Sequence, residues 1–428
     1  MNEFVRLLRR SDYRKLLIGQ SISGLGDWAA TFGLIALVYD LTGNTSSVAW
    51  ILILRLIPPL FAAPIGGVFA DRFPRRTIMV TCDLLRAVLI VLVPFVNLWL
   101  IFAIALVHEL FSLFFLPARD ASIPDLTPKK LLPQANGLML ASYYGSLPIA
   151  GAIFGAIYHS SSLVPSFFPL SQLVNQRPTT LVFFLDALTF LVSASLIYHL
   201  NLRRKVHYTQ HGSIKTDLVE GVKFVWQHKA LRLLSLGIVM AMFGGGVLFA
   251  IGIAYVRETL GGSNLTFGWL ASLWGAGMAI GLLLVRKLID WRGAPYIFVA
   301  SIAASGGILI SMSLVSHILL AFALVIPFGM AFAISITLAM SLAQSMVKDS
   351  MRGRMMGGVQ TYYRLGLGAG ALIMGTVAHS IKEVDIGVRL DGNQLGMFVS
   401  GLLIIAAAIT CLGLLATHPF KFRSKTKT

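Results

Sequence analysis

Charged and aromatic side chains set inside long apolar runs are where this sequence places chemistry. Asp27 lies near the middle of the run 16–41, with Gly24 and Thr31 on the same helical face. Glu109, next to His108, lies near the middle of the run 98–117. A carboxylate held out of water is costly unless it has a partner or a wet cavity, and one that can take up and give back a proton suits coupling or cation recognition. The structural alternative is an ion pair, Asp27 with Arg55 or Glu109 with Arg86. Asp83 and Arg86, three residues apart, read as a structural charge pair. Arg364 has no sequence neighbour of opposite charge and is expected to face a substrate or a carboxylate. Tyr143, Tyr144, Tyr362 and Tyr363 would wall a pocket for bulky amphipathic compounds, whereas Trp269 and Trp274 read as interfacial anchors. The two cysteines, Cys82 and Cys411, fall within apolar runs, and the histidines lack ligand spacing, so no disulfide, metal or cofactor is expected. No Walker loop, G-x-S-x-G or H-E-x-x-H occurs, and no enzyme is expected.

These residues need elements to hold them. The chain has 428 residues, of which 56% are hydrophobic and only 12% charged, with a mean hydropathy of +0.79. One soluble core cannot hide that much apolar surface, so an all-α integral membrane protein is expected. Twelve runs are long enough to span a bilayer: 16–41, 46–70, 77–97, 98–117, 135–160, 179–200, 232–256, 264–286, 294–315, 318–343, 355–380 and 395–416. The first contains Asp27 and is too long for a signal peptide. With both termini cytoplasmic, the inside segments carry 28 lysines and arginines and the outside segments four. That bias follows the positive-inside rule and accounts for the net charge of +17 without nucleic acid. The expected organisation is a six-helix bundle over 1–200, a cytoplasmic linker over 201–231 with an amphipathic helix at the membrane interface, and a second six-helix bundle with a basic tail over 232–428. A faint parallel repeat at a shift of about 220 residues pairs Gly137, Tyr143 and Gly155 with Gly357, Tyr363 and Gly375.

Between runs two and three stands Gly67-Val-Phe-Ala-Asp71-Arg72-Phe-Pro74-Arg75-Arg76. It resembles the major facilitator signature Gly-x-x-x-Asp-Arg-x-Gly-Arg-Arg, departing from it at Pro74. Gly67 would allow close helix approach, Asp71 would cap a helix N-terminus, and Arg72, Arg75 and Arg76 would anchor the loop at an anionic lipid surface. The stretches 24–43, 117–138 and 350–360 resemble the exporter branch that includes enterobactin exporters and macrolide efflux pumps, and "ANGLMLAS" (135–142) resembles lysophospholipid transporters. Of the antiporter signature of run five only Pro148 and Gly151 are present. The resemblance implies the major facilitator fold and a secondary active exporter of drug-like, macrolide-like or siderophore-like small molecules. It would work as a monomer in a bacterial cytoplasmic membrane, by proton antiport with alternating access. It also implies that Arg119 belongs to a gating network with Asp71, and that the loops holding Asp71, Asp290 and Arg352 latch one state. A lysophospholipid flippase of the same fold, or a non-transporting receptor or scaffold, are the alternatives.

Overall fold

A computed structural model of the chain describes residues 3–167, 169–202, 229–288, 293–346, 352–381, 383–385, 387 and 389–417. The amphipathic linker helix expected within 201–231 lies almost wholly outside them, as does Asp290.

The helices in chain order are α1 (Glu3–Leu8), α2 (Ser11–Thr42), α3 (Thr45–Arg72), α4 (Arg75–Leu92), α5 (Leu98–Leu126), α6 (Leu132–Gly145), α7 (Leu147–Ser160), α8 (Ser171–Gln176) and α9 (Thr180–Tyr198). They continue with α10 (Lys229–Ala254), α11 (Asn264–Leu288), α12 (Ala294–Ser313), α13 (Ile318–Met346), α14 (Arg352–Ser380) and α15 (Gly392–Thr417). Among the described residues ten helical stretches are long and apolar enough to cross a membrane. The two other expected spans, 46–70 and 355–380, fall on α3 and α14, helices of 28 and 29 residues. Between α14 and α15 a small antiparallel ribbon, β1 (Glu383–Asp385) and β2 (Arg389–Asp391), turns through Gly387 at φ 91°.

Local chemistry explains the boundaries. Gly43 adopts the left-handed conformation that ends α2, its N–H reaching the Tyr39 carbonyl at 2.8 Å. Asn97 caps α5 by accepting from the Leu100 N–H. α5 runs nine residues past the expected end at 117, because Pro117 and Pro124 are accommodated within it. The expected span 135–160 is broken at Ser146, where Pro148 opens α7 and cannot donate back into α6. The Tyr143 carbonyl beside the break accepts from Ser146 Oγ at 2.6 Å and from Trp28 Nε1 at 3.2 Å.

Packing divides the chain into two compact units. Unit 1 holds Met1–Gly43, Leu54–Gln210 and Ser263–Ser272; unit 2 holds Asn44–Ile53, His211–Gly262 and Leu273–Thr428. In unit 1, α9 packs along both α2 and α4, and α4 along α5. The α2–α9 seam is built on glycines seven residues apart. Gly19 faces Ser193, Gly26 faces Asp186 and Thr189, and Gly33 faces Val182 and Phe183. A Cβ at Gly26 would run into both Thr189 and Asp186. Gly151 and Gly155 of α7 pack on Gly268, where a Cβ would lie 2.6 Å from the Gly151 carbonyl oxygen. In unit 2, α10 packs along α14, and α12 along α13 and α15. Gly277 and Gly281 meet the backbone of Ile326 and Met330, and Thr45 Oγ1 donates to the Gly375 carbonyl at 2.6 Å. Cys82 and Cys411 are free thiols, both buried.

Candidate functional site

The buried face of α4 recurs at helical spacing as Met79, Cys82, Asp83, Arg86, Ala87 and Ile90. Two charges therefore lie in the interior of unit 1. Arg86 donates to Asp83, and its guanidinium sits between the rings of Phe115 and Phe190, 4.5 and 4.4 Å from their centroids. Aromatic faces on both sides replace water as the guanidinium's surroundings.

Arg55, from α3, is the second interior cation. It donates to Thr31 Oγ1 at 2.5 Å and lies 3.8 Å from Glu109 Oε2, while Thr31 itself donates to the Asp27 carbonyl at 2.7 Å. The observed pairs are thus Arg55 with Glu109 and Arg86 with Asp83. The Asp83–Arg86 pair is the one its i,i+3 spacing suggested, whereas Arg55 pairs with Glu109 and not with Asp27, and Glu109 does not pair with Arg86.

Asp27 is left with different company. The donor atoms of Asp27, His108 and Asp186, from α2, α5 and α9, all lie within 4.8 Å of one another. Asp186 is 1% exposed and His108 5%. Asp186 Oδ1 accepts from Thr189 at 3.2 Å, whereas Asp186 Oδ2 and His108 Nε2 have no hydrogen-bond partner among the described residues. The three residues line a cavity with Arg55 and the apolar side chains of Leu34, Ile90, Ile101 and Ile104. It leaves about 20 Å³ open to the centre of a water, room for about one water or one small ion. The donor set is close enough to share a cation, but Arg55 lines the same cavity and its charge opposes that of a metal ion. Asp186 and His108 were not singled out as site residues from sequence. An acidic residue in the apolar run 179–200 was the signal available for Asp186.

Tyr143 is half-buried at the α6–α7 break, 5.6 Å from the Trp28 ring and 5.4 Å from Tyr144. Tyr363 and Arg364 are half-buried on α14, in unit 2. Trp269 is exposed, whereas Trp274 is buried against Phe249 and Phe332 rather than placed as an interfacial anchor.

In the loop between α3 and α4, Arg75 donates to the Ala121 carbonyl and pairs with Asp125 at 2.8 Å. Arg76 lies over the Tyr198 ring and reaches the carbonyls of Tyr198 and Leu200 at the end of α9. Both are held by protein groups as well as by any lipid surface. Arg119 pairs with Asp120 and donates to Gln20 Oε1 at 3.1 Å. Gly67, Asp71 and Arg72 lie on α3 and Arg352 opens α14, but their side chains are outside the described residues. Pro74 has φ −59° and precedes the first residue of α4; no positive φ is used at this turn, so the position makes no conformational demand for glycine.

The sequence profile described as Major Facilitator Superfamily matches residues 16–371. The MFS-type transporter YfiS of Bacillus subtilis (strain 168) is 26% identical over 415 residues, covering 93% of this chain and 92% of its own. Macrolide efflux protein A of Streptococcus pyogenes is 21% identical over 401 residues, covering 92% and 93%. Among solved structures, an inward-facing, unoccupied bacterial homologue of the human lysosomal transporter Spinster superposes with a TM-score of 0.74 at 14% identity, covering 97% of this chain and 98% of that one. The nucleoside transporter NupG does so with a TM-score of 0.75 at 12% identity, covering 96% and 100%. A profile spanning most of the sequence, relatives matched nearly end to end and a shared fold all agree: the chain is a multi-pass membrane transporter of the major facilitator superfamily.

Proposed function

We propose that the protein exports small molecules across a bacterial cytoplasmic membrane in exchange for protons. The substrate class is that of drug-like, macrolide-like or siderophore-like compounds. The observation that carries the proton reading is the cavity in unit 1, where Asp27 and Asp186 stand together without an ion-pair partner among the described residues. A membrane interior tolerates such carboxylates only where they work or are paired. The export direction and the substrate class are supported by similarity along the chain to macrolide efflux protein A.

In this reading the central path opens to one side of the membrane and then to the other. Asp27 binds a proton in one state and releases it in the next, with Glu109 held beside Arg55 as its charged neighbour. Tyr143, Tyr144, Tyr363 and Arg364 are the residues assigned to substrate. Gly67, Asp71, Arg72, Arg75, Arg76, Arg119, Asp290 and Arg352 form the gating set. The test is transport in proteoliposomes with an imposed pH gradient, using a panel of macrolides and catecholate siderophores. Uptake into inverted vesicles driven by the gradient is expected for the wild type and lost in Asp27→Asn. Gradient-independent transport, or unchanged transport in Asp27→Asn at normal reconstitution, overturns the coupling.

A further inference from the structure

Four carboxylates and two guanidiniums meet in the interior of unit 1. Arg86 is taken by Asp83 and Arg55 by Glu109. Asp27 and Asp186 are then two carboxylates without an arginine of their own among the described residues, and they open onto one small cavity. We propose that Asp27 and Asp186 act as one site, a carboxylate pair holding a single proton between them, and that Asp186 rather than Glu109 is the partner of Asp27 in proton exchange.

Three observations carry it. First, the two carboxylates and the His108 ring lie within 4.8 Å, close enough that two full negative charges in a low-dielectric cavity repel strongly. Second, Asp186 is 1% exposed and keeps one oxygen, Oδ2, without a hydrogen-bond partner among the described residues, while Thr189 occupies the other. An acid O–H, or a water relaying to one, satisfies that orphan. Third, the surroundings suit one residual negative charge. Arg55 from α3 and Arg86 from α4 both act on Asp27 and on Asp186. Among the described residues the other ionisable groups around the pair are Asp83 on α4, His108 and Glu109 on α5, and Tyr143 on α6. Gly26 makes the arrangement possible, since any side chain there would displace Asp186. The proton leaves through the water-sized cavity, and the pair then holds two charges until it is refilled.

The inference deepens the proton-coupling reading, but its test uses no substrate. Infrared spectroscopy of the purified protein in lipid reads the C=O stretch of a protonated carboxylic acid. At neutral pH the wild type is expected to show such a band. Asp27→Asn and Asp186→Asn should each abolish it, because either carboxylate alone beside two arginines ionises, and Glu109→Gln should leave it in place. Asparagine keeps the volume of aspartate, and gel filtration checks folding. A wild type without the band overturns the proposal with no variant needed. Loss in only one of the two Asp variants overturns the sharing, and loss in Glu109→Gln moves the proton elsewhere. Export that fails to follow a pH gradient sinks the transport reading and leaves this one standing; a missing band does the reverse.

Discussion

Arg86 shows how a guanidinium is held in the interior of unit 1: one carboxylate in line, one aromatic ring on each face. Lysine has the charge but no plane to stack, so Arg86→Lys is not a conservative change here. Arg86→Met leaves Asp83 buried without its counter-charge, at a cost on the order of 3 kcal/mol. Both single variants are expected to lower the midpoint of thermal denaturation in detergent, and Asp83→Asn/Arg86→Met should recover most of the loss. Equal midpoints for the single and double variants would show that the pair adds nothing. The i,i+3 spacing of this pair was legible in the sequence. The pairing of Arg55 with Glu109 and the meeting of Asp27, His108 and Asp186 were not, because four separate helices supply the groups and no spacing along the chain encodes that meeting.

Helices come together in unit 1 along faces without side chains. Gly19, Gly26 and Gly33 repeat every seven residues down α2, a period that keeps one stripe of the helix against α9. The substitutions should grade with the space opposite each glycine. Gly33→Ala meets Val182 Cγ1 at 3.4 Å, an ordinary contact, and Gly137→Ala meets nothing within 4 Å. Both are expected to express and melt like the wild type. Gly26→Ala meets Thr189 and Asp186, and is expected to lower thermal stability and to disturb the carboxylate pair together. A Gly26→Ala protein that melts normally would show that α2 and α9 can part at no cost. At the α3–α4 turn, Pro74→Gly is expected to lower stability slightly, by up to about 1 kcal/mol, since the observed φ is one that proline itself prefers and glycine frees the unfolded chain. The existence of nearly every helix could be read from apolar length. The glycine stripe and the break at Ser146 escaped that reading, because hydropathy averages over both.

Chain order and packing divide the molecule differently. The sequence suggests two halves about a linker at 201–231, whereas contacts place Asn44–Ile53 in unit 2 and Ser263–Ser272 in unit 1. Which bundle a helix end joins depends on small residues meeting across it, as Gly268 meets Gly151 and Gly155, and apolar length is silent on that. For orientation the expectation comes from charge: 28 cations in the segments assigned to the inside against four in those assigned to the outside. A green fluorescent protein fused after Thr428 is therefore expected to fluoresce, and alkaline phosphatase at the same point to be inactive. An enzymatically active C-terminal phosphatase would invert the orientation. Phosphatase inserted near Arg177, in a segment assigned to the outside, should be active.

The two thiols have a practical consequence. Cys82 is packed in a buried cluster with Met79, Phe115 and Ala118, and Cys411 is fully buried with its sulfur directed to the Leu233 carbonyl. Water-borne maleimides have little to react with in the unaltered protein. One cysteine introduced on each unit can then carry a spin label or fluorophore over a quiet background, with the native thiols left where the packing needs them. Distances between such labels would follow the transport cycle in the wild-type sequence.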